Sequence, residues 1–132
     1  MRRPIIFAVM DYLEAKCPEL GIPIPKLEWL EMEGISLAVV QRDQPTIEKA
    51  YINGVKEYRI GFDVLEQAKV SDRLEVIQHL TKLESLFEDI DNTDLGNGIT
   101  ARKAETTTPS LDAQTENLRL RYRFNVTLFV RG

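Results

Sequence analysis

The chain has 132 residues, of which 43% are hydrophobic and 29% charged, and its formal net charge is −4. These values predict one globular domain, residues 1–132, that buries its own core. The acidic balance argues against a protein whose whole surface binds nucleic acid. Cys17 is the single cysteine, which excludes an intramolecular disulfide. No apolar run is long enough to cross a membrane, and we expect a cytoplasmic protein.

The first predicted element is a helix over residues 4–16. Pro4 suits a first helical turn, where its missing N–H leaves no hydrogen bond unmade. Pro18 and Gly21 predict the end of the helix. Apolar residues recur at helical spacing on one side of it: Ile5, Ile6, Val9, Tyr12 and Leu13.

Several strands follow. After a short apolar run over 27–32, residues 35–41 are typical of a buried strand, and 46–52 and 55–65 predict two more. Asn53-Gly54 lies between the last two and predicts a tight hairpin, because both residues tolerate positive φ. In 55–65, one set of alternating residues is expected to face the core: Tyr58, Ile60, Phe62 and Val64.

Residues 71–90 form the clearest predicted helix, with Ser71 or Asp72 able to cap it. Its apolar stripe consists of Leu74, Ile77, Leu80, Leu83, Phe87 and Ile90. His79, the only histidine of the chain, is expected at the edge of this stripe without a catalytic role. Residues 91–98 predict a loop. They fail the calcium-loop pattern, because Arg102 stands at the twelfth position from Asp91.

A polar strand over 99–108 is expected next, ended by Pro109, and a turn at 116–117 leads into the last strand. That strand, 118–130, alternates over its whole length, with apolar residues at even positions and mostly polar ones at odd positions. At about 3.3 Å per residue it would measure roughly 43 Å, more than the diameter of about 35–40 Å of such a domain. We therefore expect it either to bend at a bulge or to lie against something beyond the domain.

The order of elements predicts an α+β fold. It consists of a single antiparallel or mixed sheet with two helices packed on one face, and the other face is solvated or covered by a partner. We find no nucleophile with a neighbouring base, no phosphate-binding glycine loop and no Cys/His metal cluster. The chain is therefore predicted to be a non-enzymatic protein without cofactor or metal.

Arginines on the last strand are the candidate interaction residues. Arg119, Arg121 and Arg123 share its polar side, and Arg131 follows. Three roles are open for them: ion pairs with acidic residues across the sheet, contacts with a subunit or partner, or contacts with phosphates. Trp29 is either a core residue or an interface anchor.

The order of three segments resembles that of the tail terminators, minor capsid proteins of long-tailed, siphovirus-type bacteriophages. The segments are EYRIGFDVLEQAK (57–69), which leads into the helix DRLEVIQHLTKLESLF; AETTTPSLDAQTEN (104–117); and the terminal LRYRFNVTLFV. The similarity extends in order over residues 1–132. One departure is Leu118, because the family pattern has glycine after asparagine in such a turn.

The resemblance implies a structural virion protein with a tail-terminator-like fold, assembled in the host bacterial cytoplasm. Tail terminators form rings, commonly hexamers, that cap the tail tube and join it to the head connector, and nucleic acid at most passes through the ring lumen. The implied partners are copies of the chain itself, tail-tube proteins and head-connector proteins. Other head–tail joining or minor capsid roles fit the resemblance as well. A different class, a small non-enzymatic binding module that holds a peptide or ligand on its sheet face, is the alternative.

Overall fold

Two α-helices and eight β-strands make up the described part of the chain, residues 4–31, 34–96, 98–115 and 118–132 of the computed structural model. The turn predicted at 116–117 lies outside the described residues. The elements are α1 (Ile5–Leu20), β1 (Lys26–Leu27), β2 (Ser36–Gln41), β3 (Thr46–Ala50), β4 (Lys56–Lys69), a 3₁₀ turn (Val70–Asp72), α2 (Arg73–Glu88), β5 (Thr93–Gly96), β6 (Ile99–Thr106), β7 (Ser110–Gln114) and β8 (Arg119–Arg131).

Helix α1 extends further than predicted, because it continues through Pro18 to Leu20. A proline near the end of a helix removes only one internal hydrogen bond, and burial of Cys17 on the helix favours the extra turn. The helix ends at Gly21, whose φ of 70° lies in the left-handed region. The Ile22 N–H then donates to the Cys17 carbonyl at 2.9 Å and closes the turn.

A two-stranded ribbon of β4 and β8 forms the centre of the sheet. Thirteen residue pairs join the two strands without a register shift, from Glu57 opposite Arg131 to Lys69 opposite Arg119. The prediction of a long final strand is confirmed, although Leu118 precedes it. Its even-numbered core residues are fully buried: Phe124, Val126, Leu128 and Val130.

Shorter strands flank the ribbon on both sides. Along β4 the partner is first β3 and then β2, and along β8 it is β7 and then β6. Strand β1 pairs parallel to β2, which makes the sheet mixed. Register shifts lie in β3, β5, β6 and β7, whereas β8 keeps one register with β4. The ribbon therefore stays continuous, and the flanking strands take up the irregularity.

Both helices share one hydrophobic core with the even-numbered side of the ribbon. This confirms the α+β class. The stripe predicted for α2 is wrong at Leu74, which is 68% exposed. The buried side of α2 includes Val76 and His79 instead. The helix is thus rotated about its axis compared with the orientation that the predicted stripe implied. Leu80, Leu83 and Phe87 are buried as expected, and the Phe87 ring meets that of Phe62 edge-on, with 5.4 Å between ring centroids.

The predicted hairpin between β3 and β4 is present, but its turn differs from the expected two-residue type. Tyr51 N–H donates to the Val55 carbonyl at 2.8 Å, and Gly54 N–H donates to the Tyr51 carbonyl at 3.0 Å. Of the two turn residues, only Gly54 has positive φ, at 86°. The loop is therefore a three-residue connection with its glycine in the left-handed position.

Candidate interaction surfaces

An ion-pair cluster occupies the odd-numbered side of the ribbon, opposite the helices. Asp63 of β4 lies at its centre and is largely buried. Its carboxylate accepts from Arg42 at 2.6 Å and from Arg123 at 3.1 Å. Arg42 reaches this position by crossing β4 at Gly61, where a Cβ would lie 2.7 Å from the Arg42 Nη2. The glycine thus gives the guanidinium access to the buried carboxylate.

Asp112 extends this cluster to the edge strand β7. It is the extra residue where β7 shifts register against β8. The bulge directs its carboxylate toward two arginines, Arg121 and Arg123, each at 2.7 Å. Hydrogen bonding from Arg123, followed by that from Arg121, lowers the pKa of Asp112. Of the three roles open for the arginines, Arg121 and Arg123 therefore show the first, ion pairing across the sheet.

Arg119 lies apart from this cluster, although it shares the polar side of β8. The residue is only 5% exposed. Its guanidinium donates to the carbonyl of Gly34 and, at 3.4 Å, to that of Gln67. Arg119 thus anchors the segment before β2 against the end of the ribbon, and its side chain is largely removed from the surface.

Arg131 and Trp29 lie elsewhere. Arg131 ends β8, and its guanidinium carbon is 5.6 Å from the ring centroid of Tyr51. Trp29 follows the short strand β1 and is 57% exposed, with the Lys26 ammonium 4.2 Å from its ring centroid. Of the two roles predicted for Trp29, core residue or interface anchor, the core position is therefore wrong.

A buried polar pair lies on the helix side of the ribbon. Glu66 is 0% exposed, and its Oε2 is 2.6 Å from Nδ1 of His79, itself only 6% exposed. Burial, with the nearby Glu75 carboxylate, raises the pKa of Glu66 to about 8. Burial also lowers the pKa of His79. At neutral pH the protonated Glu66 therefore donates to a neutral imidazole.

This pair corrects the expectation that His79 lies at the edge of the stripe. A sequence signal for Glu66 was present, since it continues the even-numbered core side of β4 beyond Val64. Glu66 was missed because β4 was predicted to end at residue 65. Cys17, on α1, is also fully buried, and burial raises the pKa of its thiol to about 11. That thiol stays protonated at neutral pH.

The hairpin between β3 and β4 carries the most exposed apolar side chain of the described residues. Ile52 has a relative exposure of 109%, and Tyr51 beside it is 41% exposed. Residues 49–56 contain two lysines, Lys49 and Lys56, and no acidic residue. Both lysines are exposed and lack an ion pair in the described part of the chain. We call residues 49–56 the hairpin tip.

An apolar groove of about 430 Å³ lies between α1 and α2. Its apolar wall includes Tyr12, Leu20 and Leu86, and Lys82 donates to the Leu20 carbonyl at 3.3 Å. Ser85 and Asp89 lie at its polar border. The helices around it are acidic: segments 5–20 and 73–91 together contain eight acidic and three basic residues. We call this site the helix groove.

A polar cleft of about 580 Å³ opens at the point where the partner of β4 changes from β3 to β2. It is lined by Asp43, Gln44, Thr46, Arg59, Gly61 and Thr127. No group of three or more His, Cys, Asp or Glu side chains with metal-binding geometry occurs among the described residues. No helix in the same part of the chain is long and apolar enough to cross a membrane.

The fold has a counterpart among solved structures. One solved chain, known only by a serial designation that states neither function nor source, matches with a TM-score of 0.54 and 15% sequence identity. The match covers 96% of this chain and 90% of that one, so the two share their architecture over nearly their whole lengths. No protein-family model matches the sequence, and no curated protein does.

Proposed function

We propose that the protein is a structural virion component of a tailed phage, a tail terminator or related minor capsid protein. It would assemble into a ring, commonly a hexamer, in the host cytoplasm. There it would cap the tail tube and join it to the head connector. The three segments that resemble tail terminators support this proposal. They correspond to β4 with α2, to the β6–β7 arm, and to β8.

One observation carries the proposal: a single domain presents two different unfilled surfaces, the hairpin tip and the helix groove. A closed ring needs heterologous contacts, in which two distinct surfaces of each protomer meet. A symmetric dimer would need only one self-complementary surface. The long ribbon favours the same assembly, because the hairpin lies at one end of it, where β4 begins and β8 ends.

The experiment that tests this function is an assay of tube growth. A tail-tube protein of a long-tailed phage, taken from the same genome as this chain, is allowed to polymerise with and without the purified protein, and tube lengths are measured by electron microscopy. We expect short tubes with a ring at one end when the protein is present. Tubes of unchanged length, with no protein bound to their ends, would contradict the proposal. A control with an unrelated acidic protein of similar size separates capping from crowding.

The alternative function, a small binding module, rests on the polar cleft beside Gly61. Arg59 and Asp43 offer charges of both signs there, and Thr46 and Thr127 add hydroxyl groups. Such a lining suits a small zwitterionic or peptide ligand. Binding of a peptide library to the monomer, abolished by Arg59→Ala, would support this module. The tube assay then gives unchanged lengths, which separates the two functions.

A further inference from the structure

We infer that the hairpin tip of one copy docks into the helix groove of a second copy of this chain. The inference rests on the proposed ring and names the two surfaces through which neighbouring copies meet. Its first support is Ile52, which makes no burying contact in its own chain. An apolar side chain held at the end of a rigid hairpin remains in water unless a partner covers it.

The groove provides the matching apolar surface. Tyr12, Leu20 and Leu86 are all partly buried against the core, so the groove is open yet formed by ordered side chains. The hairpin is itself ordered by its turn, in which Asn53 Oδ1 accepts from the Val55 N–H at 3.1 Å. Docking would thus join two preformed surfaces, which reduces the entropy lost on binding.

Charge complementarity favours the hairpin tip of a second copy as the partner that fills the helix groove. The tip carries Lys49 and Lys56, neither of which is ion-paired within the described ranges. Asp89 and Lys82 line the groove, and Glu84 and Glu88 lie on the same helix. None of the three acidic residues has a cation partner among the described residues. Burial, with the neighbouring Glu88 carboxylate as the smaller cause, raises the pKa of Glu84. A lysine-bearing tip placed there relieves the excess charge on both sides.

The contact is heterologous, since tip and groove are different parts of one chain. Each copy can therefore donate a tip and receive another, which builds a ring or a linear array, whereas a reciprocal exchange between two copies would close a dimer and give no ladder of larger oligomers. The tip is small compared with interfaces of about 1,200–2,000 Å² that hold stable pairs. A ring in which every copy makes two such contacts gains stability that one pair lacks.

Cysteine cross-linking tests the contact even when it is short-lived. The double variant Ile52→Cys/Ser85→Cys places one thiol on the tip and one at the groove, while native Cys17 is fully buried. With a short bis-maleimide we expect a ladder of covalent oligomers. Equal mixtures of the two single variants should give covalent dimers and nothing larger, because each chain then has one reactive surface.

Leu111→Cys/Ser85→Cys is the matched control. Leu111 is an apolar side chain on β7, 55% exposed and outside the tip. The inference is overturned if the Ile52 pair cross-links no faster than this control, as it would if a tube or connector protein occupied the groove. It is also overturned if Ile52→Cys alone cross-links to itself, which indicates tip-to-tip contact. Capping of tubes without a ladder would refute this contact and leave the proposed function standing, and a ladder without capping would do the reverse.

Discussion

Residue 118 shows how one side chain can conflict with its backbone. The β3–β4 and β7–β8 hairpins share one hydrogen-bond pattern: Leu118 N–H donates to the Thr115 carbonyl at 3.1 Å, as Gly54 N–H donates to the Tyr51 carbonyl. The equivalent residues both have positive φ, 86° at Gly54 and 58° at Leu118. Leucine is strained in this conformation, whereas glycine is not. The departure from the family pattern seen in the sequence is thus a strained position in the structure.

Replacing Leu118 by glycine should therefore stabilise the protein. We expect Leu118→Gly to raise the free energy of unfolding by about 0.5–1 kcal/mol, because relief of strain exceeds the added entropy of the unfolded chain. Little burial is lost, since Leu118 is 66% exposed. Urea denaturation measures the change. The mirror variant Gly54→Leu should destabilise by a similar amount, and a destabilised Leu118→Gly would contradict the strain argument.

At the scale of elements, the central ribbon depends on Gly61. Two loop residues donate backbone N–H groups to its carbonyl, Arg42 at 2.8 Å and Asp43 at 3.2 Å. The loop between β2 and β3 is thereby held against β4, and the Arg42 guanidinium lies where a Cβ would stand. A side chain at residue 61 would push away the flexible guanidinium and the Asp43 carboxylate, whose Oδ2 would lie 2.9 Å from the Cβ, and leave the backbone in place.

A double-mutant cycle tests this arrangement. We expect Gly61→Ala to cost about 1 kcal/mol, because displaced Arg42 no longer pairs with buried Asp63. In an Arg42→Ala background the same change should cost nothing or stabilise slightly, since alanine suits a strand better than glycine. The free energies of unfolding of the four proteins give the coupling. If Gly61→Ala costs the same free energy of unfolding in both backgrounds, Arg42 is not the reason why residue 61 is a glycine.

For the whole molecule, Glu66 and His79 link the stability of the fold to pH. They join β4 to α2 across the core, with Glu75 and Lys82 as the charged groups around them. The pKa of Glu66 rises from 4.5 to about 8 on folding, so the folded state holds a proton that the unfolded state releases. This contribution is complete below pH 4.5 and is lost as the pH rises to about 8. The lowered pKa of His79 acts in the opposite sense, below pH 6.5.

Above pH 6.5 the opposing His79 contribution fades, because the unfolded-state imidazole loses its proton there, and up to about pH 8 the Glu66 effect predominates. We expect the wild-type free energy of unfolding to fall there by up to about 1.4 kcal/mol per pH unit. Glu66→Gln retains the shape and a hydrogen-bond donor to His79, so it should remove this slope. It should also make the protein more stable than the wild type near pH 8. Thermal or urea unfolding across this range measures both effects, and parallel pH profiles for the two proteins would exclude the protonated carboxyl.

The sequence by itself determined both helices, the long strands of this protein and the α+β class. Period-two alternation in the last strand and in β4, and period-3.6 spacing in α1 and α2, depend on local geometry, which the order of residues contains. The turn at Gly54 and the unsuitable leucine at 118 were visible for the same reason. Wrong positions lay where tertiary packing overrides local preference: the last turn of α1, the end of β4 beyond residue 65, the rotation of α2 and the depth of His79. Strand β5 lies in a segment predicted as a loop, and β7 was not predicted.

Only the tertiary structure decided which side chains meet. Three arginines of β8 look equivalent along the chain, at residues 119, 121 and 123. Arg119 is buried against carbonyl groups, whereas Arg121 and Arg123 pair with Asp112. A bulge in β7 directs the Asp112 carboxylate toward these two arginines. The partners come from distant parts of the chain, and no local pattern gives their pairing. Exposure of Trp29 and Ile52 and the groove between the helices likewise depend on how the elements pack. The periodicity of the sequence fixes which side of a helix or strand is apolar. The packing of the other helices and strands decides whether that side is covered.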